Sequence, residues 1–243
     1  MRQQSEPEPQ GLSRIAIVSA LDAELRALLA LVEQREIQRV AGRAFHLGKL
    51  DGHCVVLASS GVGKVAAATT AALLLERCDV QALLFTGVAG GLHADVQVGD
   101  VVVARELLQH DMDASPLFPR YEIPYTGVSR FATDARWGER LARAVAALPA
   151  RPRLHQGLVI SGDRFIASAA DNHALRRLLP DALAVEMEGA AVAQVCADFA
   201  RPCAVLRTVS DRADDSAPVD FLRFVEDVAA GYSRDIVRAA LQA

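Results

Sequence analysis

The sequence predicts an α/β fold with a mostly parallel central sheet covered by helices on both faces. Three observations carry that expectation. Short apolar runs alternate with segments of helical period from Arg14 onward. Apolar residues make up 51% of the 243 and aromatics only 5%, so Ala, Val and Leu must build the core, as they do in strands buried on both faces. No linker, low-complexity stretch or internal repeat follows Ser13, so residues 14–243 are expected to form one domain. Residues 1–13 are polar and proline-containing, lack the apolar core of a signal peptide, and read as a disordered lead-in.

Each element has its own signal. Residues 14–20 are a first apolar strand. Asp22 stands where a side chain caps the next helix; Leu25, Leu28, Leu29 and Val32 give that helix its apolar face, and Glu24 lies in its first turn. Residues 45–50 run into an Asp51-Gly52 turn and residues 53–58 return from it, the pattern of a hairpin. Residues 59–64 are a tight loop and residues 65–77 a helix. Residues 82–85 are a buried strand ending in Thr86-Gly87-Val88-Ala89-Gly90-Gly91, and Val98-Gly99-Asp100 opens the next strand. The segment 109–130 has prolines and aromatics but no period, and its length predicts an irregular functional or interface loop. Trp137, Leu141, Val145 and Leu148 mark a helix, and residues 157–163 a strand with a polar end. Leu183-Ala184-Val185 ends another buried strand, ahead of a helix of small residues from Gly189. Residues 202–211 are the last strand, and Leu222, Val225, Ala229, Tyr232 and Ile236 form the stripe of a terminal helix.

Charge and cysteines narrow the function classes. The formal net charge is −4 and no basic stripe occurs, which argues against nucleic-acid binding. Cys54, Cys78, Cys196 and Cys203 are far apart, as suits free thiols in a reducing compartment. No apolar run approaches membrane-spanning length. A soluble, cytoplasmic protein is expected.

Ligands of such sheets sit beyond the carboxyl ends of the strands. Glu24, the two glycine-rich loops, Asp163, Glu186, Glu188 and Asp211 all fall there. Glu186 and Glu188 flank Met187 at the start of the small-residue helix, where acidic side chains also suit the helix dipole. Gly61-Val62-Gly63-Lys64-Val65-Ala66 matches a dinucleotide fingerprint formally, but it does not open the first strand–helix unit, and Phe85-Thr86-Gly87 stands where the ribose-gripping acid belongs. It reads as a tight turn that lets a ligand approach backbone closely. His110-Asp111-Met112-Asp113 has three metal-ligand types but no partner His at helical spacing, so these read as polar loop residues. No G-x-S-x-G elbow exists, and no His partners a cysteine by sequence. Asp211, at the end of an apolar strand that also holds Arg207, is open between a helix cap and a partly desolvated proton donor.

Seven pieces, in order from Arg14 to near the C-terminal helix, carry a resemblance. They are residues 20–25 (ALDAEL), 60–65 (SGVGKV), 86–91 (TGVAGG), 98–100 (VGD), 161–166 (SGDRFI), 185–188 (VEME) and 210–214 (SDRAD). In these the chain resembles the 5′-methylthioadenosine/S-adenosylhomocysteine nucleosidases of the nucleoside phosphorylase superfamily. The resemblance implies a single α/β domain around a mixed, partly barrel-like sheet, a homodimer, no metal and no cofactor. It implies hydrolysis of the N-glycosidic bond of a 5′-substituted adenosine. Asp211 then matches the acid that protonates the purine and Glu24 the base or positioner of water. Glu188 matches the ribose-binding acid, preceded by Glu186 and with Met187 against the sugar; Arg207 matches a residue near the water. Phe165 stacks on adenine and the Ile166 backbone meets its edge, while Val88, Ala89, Gly90 and Ser210 complete the strand-end loops. Leu21, Val62 and Phe221 line the sugar and 5′ region. Leu21 stands where Met is common and Val88 where Ser is often found. Residues 113–121 depart from the best-known members, where a neighbouring subunit closes the 5′ pocket, so residues 112–125 are expected near a dimer interface. Three other functions compete: a nucleosidase of 6-amino-6-deoxyfutalosine or another 5′-modified adenosine, a purine nucleoside phosphorylase, and a non-catalytic nucleoside- or dinucleotide-binding module. A phosphorylase needs converging Arg or Ser donors for phosphate, whereas Glu24 puts a carboxylate near that place. A binding module needs neither Glu24 nor Asp211.

Overall fold

The computed structural model describes residues 14–217, 224 and 230–243. The lead-in 1–13 and, at the other end, Phe221, Leu222, Val225 and Ala229 lie outside the described residues. The strands are β1 (Arg14–Ser19), β2 (Glu33–Val40), β3 (Arg43–Leu50), β4 (His53–Ser59), β5 (Val80–Gly91), β6 (Val101–Gln109), β7 (Arg130–Ala132), β8 (Leu154–Ser161), β9 (Ala182–Glu186) and β10 (Cys203–Asp211). The helices are α1 (Asp22–Leu29), α2 (Lys64–Arg77), α3 (Ala135–Ala147), α4 (Ala169–Leu178), α5 (Gly189–Asp198) and, at the C-terminal end, α6 (Ala230–Gln242), which carries Tyr232 and Ile236.

All ten strands join one sheet in the order β10-β6-β8-β9-β5-β1-β4-β3-β2, with β7 on β6. β10 also pairs with β5, so β10, β6, β8, β9 and β5 close on themselves while β1, β4, β3 and β2 extend from β5 as an open wing. β5 makes this possible by its length. Residues 80–85 pair with β1, residues 83–90 with β10, and Gly90 and Gly91 with β9. The sheet is mixed. Pairings β1–β4, β1–β5, β5–β10, β6–β8 and β8–β9 are parallel, and the other five are antiparallel. The expectation of a mostly parallel sheet from composition is thereby corrected: aliphatic runs report burial on both faces, not strand direction. The mixed, partly closed sheet is what the family resemblance implied.

The Asp51-Gly52 hairpin forms between β3 and β4, with both turn residues at positive φ (48° and 84°) as a two-residue hairpin turn requires. Asp22 does not cap α1. It is the first helical residue, its side chain accepts the Ser59 hydroxyl, and Glu24 reaches back to the Leu21 N–H instead. Three elements had no sequence signal of their own: β2, β7 and α4. β2, EQREIQRV, is a charged and mostly exposed edge strand, a composition that discourages further pairing.

Core residues gather in three clusters. One joins the sheet to α2 and α5 through Ala67, Ala71, Leu74, Ala190, Ala193 and Cys196. A second joins it to α1, α3 and α6 through Leu25, Leu28, Leu141, Val145, Ile236 and Val237. A third joins β8 and β9 to α4 through Leu158, Ile160, Leu175 and Val185. No helix among the described residues is long and apolar enough to cross a membrane. All four cysteines are free thiols.

Candidate active site

The carboxyl ends of β1, β5, β9 and β10 surround a cavity of about 550 Å³. Ala20, Leu21 and Glu24 enter from the β1–α1 junction, and Val62 from the turn before α2. Residues 86–90 lie in the last half of β5, residues 164–166 follow β8, residues 185–188 span the end of β9 and the turn into α5, and Arg207, Ser210 and Asp211 come from β10. Most of the lining is apolar or backbone, against which a few carboxyl groups stand out.

Glu24 is buried on the first turn of α1. Its Oε2 accepts the Leu21 N–H at 2.9 Å and its Oε1 the Val88 N–H at 3.0 Å. A Cβ on Gly87 would stand 2.9 Å from Oε1, so glycine at the end of β5 is what lets the carboxyl approach that backbone. Burial raises the pKa of Glu24 above the ordinary carboxylate range, although the Leu21 N–H, the Arg207 charge and the Val88 N–H pull it down. A carboxyl whose pKa is raised is, once ionised, a stronger proton acceptor than an ordinary carboxylate.

Glu186 and Glu188, two residues apart, meet different partners. Glu186 accepts from the Glu188 N–H at 3.2 Å, the Gly189 N–H at 2.8 Å and the Ser161 hydroxyl, which itself accepts the Ala190 N–H at 2.8 Å. Those are the open donors of the α5 N-terminus. The same carboxylate accepts from Arg207 Nη2 at 2.7 Å and Nε at 3.3 Å. Arg207 spends its remaining bonds on the carbonyls of Phe85 (3.2 Å) and Leu206 (3.0 Å), with its guanidinium 4.2 Å from the Phe85 ring centre. This buried pair is thus densely hydrogen-bonded, which is what a buried ion pair needs. Glu188 makes no such cap. Its Oε1 accepts the Gly63 N–H at 2.8 Å, across 125 residues of sequence. Burial, then the charge of Glu186, raise its pKa to about 7.

Asp211, also buried, accepts the Ser210 hydroxyl at 2.7 Å on Oδ2 and the Ala213 N–H at 2.8 Å on Oδ1. A shift of register between β10 and β5 at Val209 and Asp211 brings this carboxyl beside Gly90, where a Cβ would stand 2.9 Å from Oδ1. The strand end thus holds an acid in a buried wall of the cavity, next to backbone that carries no side chain.

Every candidate residue except Phe221, which lies outside the described residues, lines this one cavity: Leu21, Glu24, Val62, Val88, Ala89, Gly90, Phe165, Ile166, Glu186, Met187, Glu188, Arg207, Ser210 and Asp211. Phe165 is 42% exposed, a ring at the mouth rather than in the core. Ala20, Thr86, Gly87, Arg164 and Val185 line it too and had been given no individual role. Gly87 had a signal, a glycine at the end of a buried strand beside the candidates. Arg164 had only its place next to Phe165, and its guanidinium pairs with Asp171. Among the described residues no group of three or more His, Cys, Asp or Glu converges to hold a metal ion. Asp111 is engaged by Lys64 and the Asp163 N–H, and Asp113 by the Ser115 N–H and Arg120.

Comparison with known proteins places these features in context. The sequence profile of the phosphorylase superfamily matches residues 14–242. A 5′-methylthioadenosine/S-adenosylhomocysteine nucleosidase of Shewanella sp. (strain W3-18-1) is 37% identical over 221 residues, 90% of this chain and 94% of that protein. Among solved structures, the Neisseria meningitidis enzyme of that name, in complex with methylthio-immucillin-A, matches with a TM-score of 0.90 and 34% identity over 95% of this chain and 99% of that one. The Colwellia psychrerythraea 34H enzyme, in complex with adenine, matches with a TM-score of 0.90 and 33% identity over 95% of each chain.

Proposed function

The chain belongs to the phosphorylase superfamily and, within it, to the 5′-methylthioadenosine/S-adenosylhomocysteine nucleosidases, and we propose that it uses water to cleave the N-glycosidic bond of these two nucleosides. The products are adenine and the 5′-thio-substituted ribose. The observation that carries this reading is the convergence, among the described residues, of four carboxyl groups, Glu24, Glu186, Glu188 and Asp211, on one cavity whose two described guanidiniums, Arg207 and Arg164, are each paired with a carboxylate. Such a cavity favours a cation-like sugar and disfavours an incoming phosphate anion.

The roles are those that the family resemblance gives to these positions, and the geometry is compatible with them. As the bond between the sugar C1′ and the purine nitrogen breaks, its electron pair leaves with the base. Asp211 gives its proton to a ring nitrogen, so that adenine departs neutral. Positive charge grows on the sugar, and Glu188, ionised, holds the sugar hydroxyls beneath it with Met187 against the ring. Water adds to C1′ and gives a proton to Glu24, whose raised pKa makes it a competent acceptor. Glu186 acts from behind, since its oxygens already hold Arg207 and the α5 N-terminus. Phe165 offers a face for adenine and the Ile166 backbone its edge contact. Leu21 and Val62 border the sugar and its 5′ substituent, where Phe221 is assigned by resemblance alone.

The reading extends to the assembly. Leu117 and Tyr125 are 84% and 92% exposed in the segment after Asp111, and Val62, at the cavity, is 55% exposed. Covering these residues with a second copy of the chain removes apolar surface from water and closes the 5′ end of the cavity. We place this homodimer, with residues 14–243 of each copy as one catalytic domain, in the cytoplasm, in keeping with four free thiols.

The direct test is incubation with 5′-methylthioadenosine, with and without inorganic phosphate. Adenine and free methylthioribose are expected at equal rates in both. Methylthioribose 1-phosphate as the main product, formed only with phosphate, overturns the hydrolytic reading.

A further inference from the structure

α2 starts without a capping side chain, because its N-cap is Gly63. A helix start leaves backbone N–H groups that need acceptors. Here two distant carboxylates supply them. Glu188 Oε1 takes the Gly63 N–H at 2.8 Å, and Asp163 Oδ1 takes the Lys64 N–H at 2.7 Å. Asp163 is itself held, since its N–H donates to Asp111 Oδ2 at 2.9 Å. The ring then closes, with Asp111 Oδ1 2.6 Å from Lys64 Nζ, which also donates to Gln109 Oε1 at 3.2 Å. Burial opposes the charge of Asp111, but the bonds from Lys64 and the Asp163 N–H outweigh it and hold its pKa low.

This ring fastens three segments that are remote in sequence: the turn before α2, the end of β6, and the segment after β8 that continues into Phe165 and Ile166. The turn needs fastening. Gly61 and Gly63 sit at φ 77° and 92°, a conformation glycine enters and leaves freely. The Asp163 carboxylate also lies 3.1 Å from where a Cβ of Gly63 would be, so it bounds the space into which that backbone can swing. Asp163 is not among the residues that line the cavity.

We infer that Asp163 is a positioning residue for the reaction: by capping α2 in place of Gly63's absent side chain, it holds the Gly63 N–H against Glu188 and thereby sets the orientation and charge of the group beneath the sugar. The inference rests on the nucleosidase reading for the role of Glu188. Glu188 is sensitive to the loss of one donor because of what faces it. Glu186 at the end of β9 and Glu24 on α1 oppose its ionisation, whereas Arg207 on β10 and the Gly63 N–H favour it. With its pKa near 7, losing that N–H shifts the fraction ionised within the working pH range.

The test compares wild type, Asp163→Ala and Asp163→Asn for kcat/KM on 5′-methylthioadenosine across pH. Asp163→Ala is expected to lower kcat/KM at pH 7 by roughly tenfold to a hundredfold, the worth of one hydrogen bond to a charged group. It should also move the acid limb to higher pH, because Glu188 loses a donor that favours its anion. Asp163→Asn keeps an acceptor for the Lys64 N–H and should stay near wild type in both. If Asp163→Ala does not fold, Asp111→Ala frees the Asp163 N–H but leaves the cap, and should shift the limb the same way by less. A folded variant with a lowered melting temperature and an unshifted acid limb overturns the inference, as does an Asp163→Asn enzyme as impaired as the alanine variant. A wild-type chain inactive on methylthioadenosine counts against the substrate reading instead. The clasp is then read from the carboxyl ¹³C titration of Glu188, expected to move upward in Asp163→Ala and overturned by an unmoved titration.

Discussion

A buried carboxylate costs several kcal/mol unless donors meet it, and the carboxyls of this cavity are met in different ways. Glu186 is met by the α5 N-terminus and Arg207, Glu188 by one N–H, Glu24 by two, and Asp211 by a hydroxyl and an N–H. The bonds to Glu24 and Asp211 look on paper like those of caps, and substitution separates capping from chemistry. Asp211→Asn keeps the size and most hydrogen-bonding capacity of the side chain but removes the transferable proton. Glu24→Gln likewise removes the base and keeps an acceptor for the Leu21 or Val88 N–H. Each is expected to lower kcat by ~10²–10⁴ while leaving the affinity for a non-hydrolysable adenosine analogue close to wild type. If the residues are only caps, each change costs about 1 kcal/mol of stability and leaves kcat nearly intact. Turnover, analogue affinity and melting temperature on both variants decide, and near-normal kcat in a folded variant removes that residue from the mechanism.

At the scale of elements, strand ends do the positioning, and glycine lets them come close. Gly90 pairs with Asp211 on one side and Val185 on the other. A Cβ there would stand 2.9 Å from both Asp211 Oδ1 and the Ala213 side chain. Gly90→Ala therefore has to displace the acid or the buried segment behind it. Overpacking of this kind costs about 1–3 kcal/mol, and because it falls on the acid, kcat is expected to drop at least roughly tenfold with secondary structure unchanged by circular dichroism. Activity within twofold of wild type would show that the acid's position tolerates the shift. The same elements show how far sequence reasoning reaches. The β3–β4 hairpin was legible because Asp51-Gly52 dictates its turn locally. The strand-end residues were legible because polar and glycine-rich endings on apolar runs are unusual. β2 was not: its residues alternate in no useful way, and pairing to β3 is what makes them a strand. Strand direction was not legible either, since β10 runs parallel to β5 and antiparallel to β6 with the same buried residues. Nor was the bond between Gly63 and Glu188, which exists only once the sheet has closed.

For the whole molecule, closure of β10 onto β5 walls the cavity with the ends of both strands, and the segment between β6 and β7 lies outside that lining. That segment is not slack. Its backbone is tied by bonds from the Tyr121 N–H to Met112, the Ile123 N–H to Val128 and the Thr126 N–H to Ile123, and Phe118 meets Tyr125 edge-on at 4.8 Å between ring centres. Its first residues are joined through the Asp111–Lys64 ion pair to the start of α2, next to the turn that carries Val62 to the cavity. Such a tied, apolar, outward-facing segment is spent surface for a monomer and useful surface for a dimer. Light scattering at micromolar concentration is therefore expected to give twice the chain mass. Replacing Leu117 by Asp and Tyr125 by Ser, both outside the core, should yield a folded monomer with a melting curve of its own. If the second copy also closes the 5′ end, that monomer should bind methylthioadenosine more weakly, with KM raised severalfold, while kcat, which the proposed mechanism assigns to Glu24 and Asp211 inside each chain, should fall much less. A wild-type chain that is monomeric at micromolar concentration and fully active would remove the dimer from the proposal, and a monomeric variant with unchanged KM would keep the dimer but deny it any part in the site.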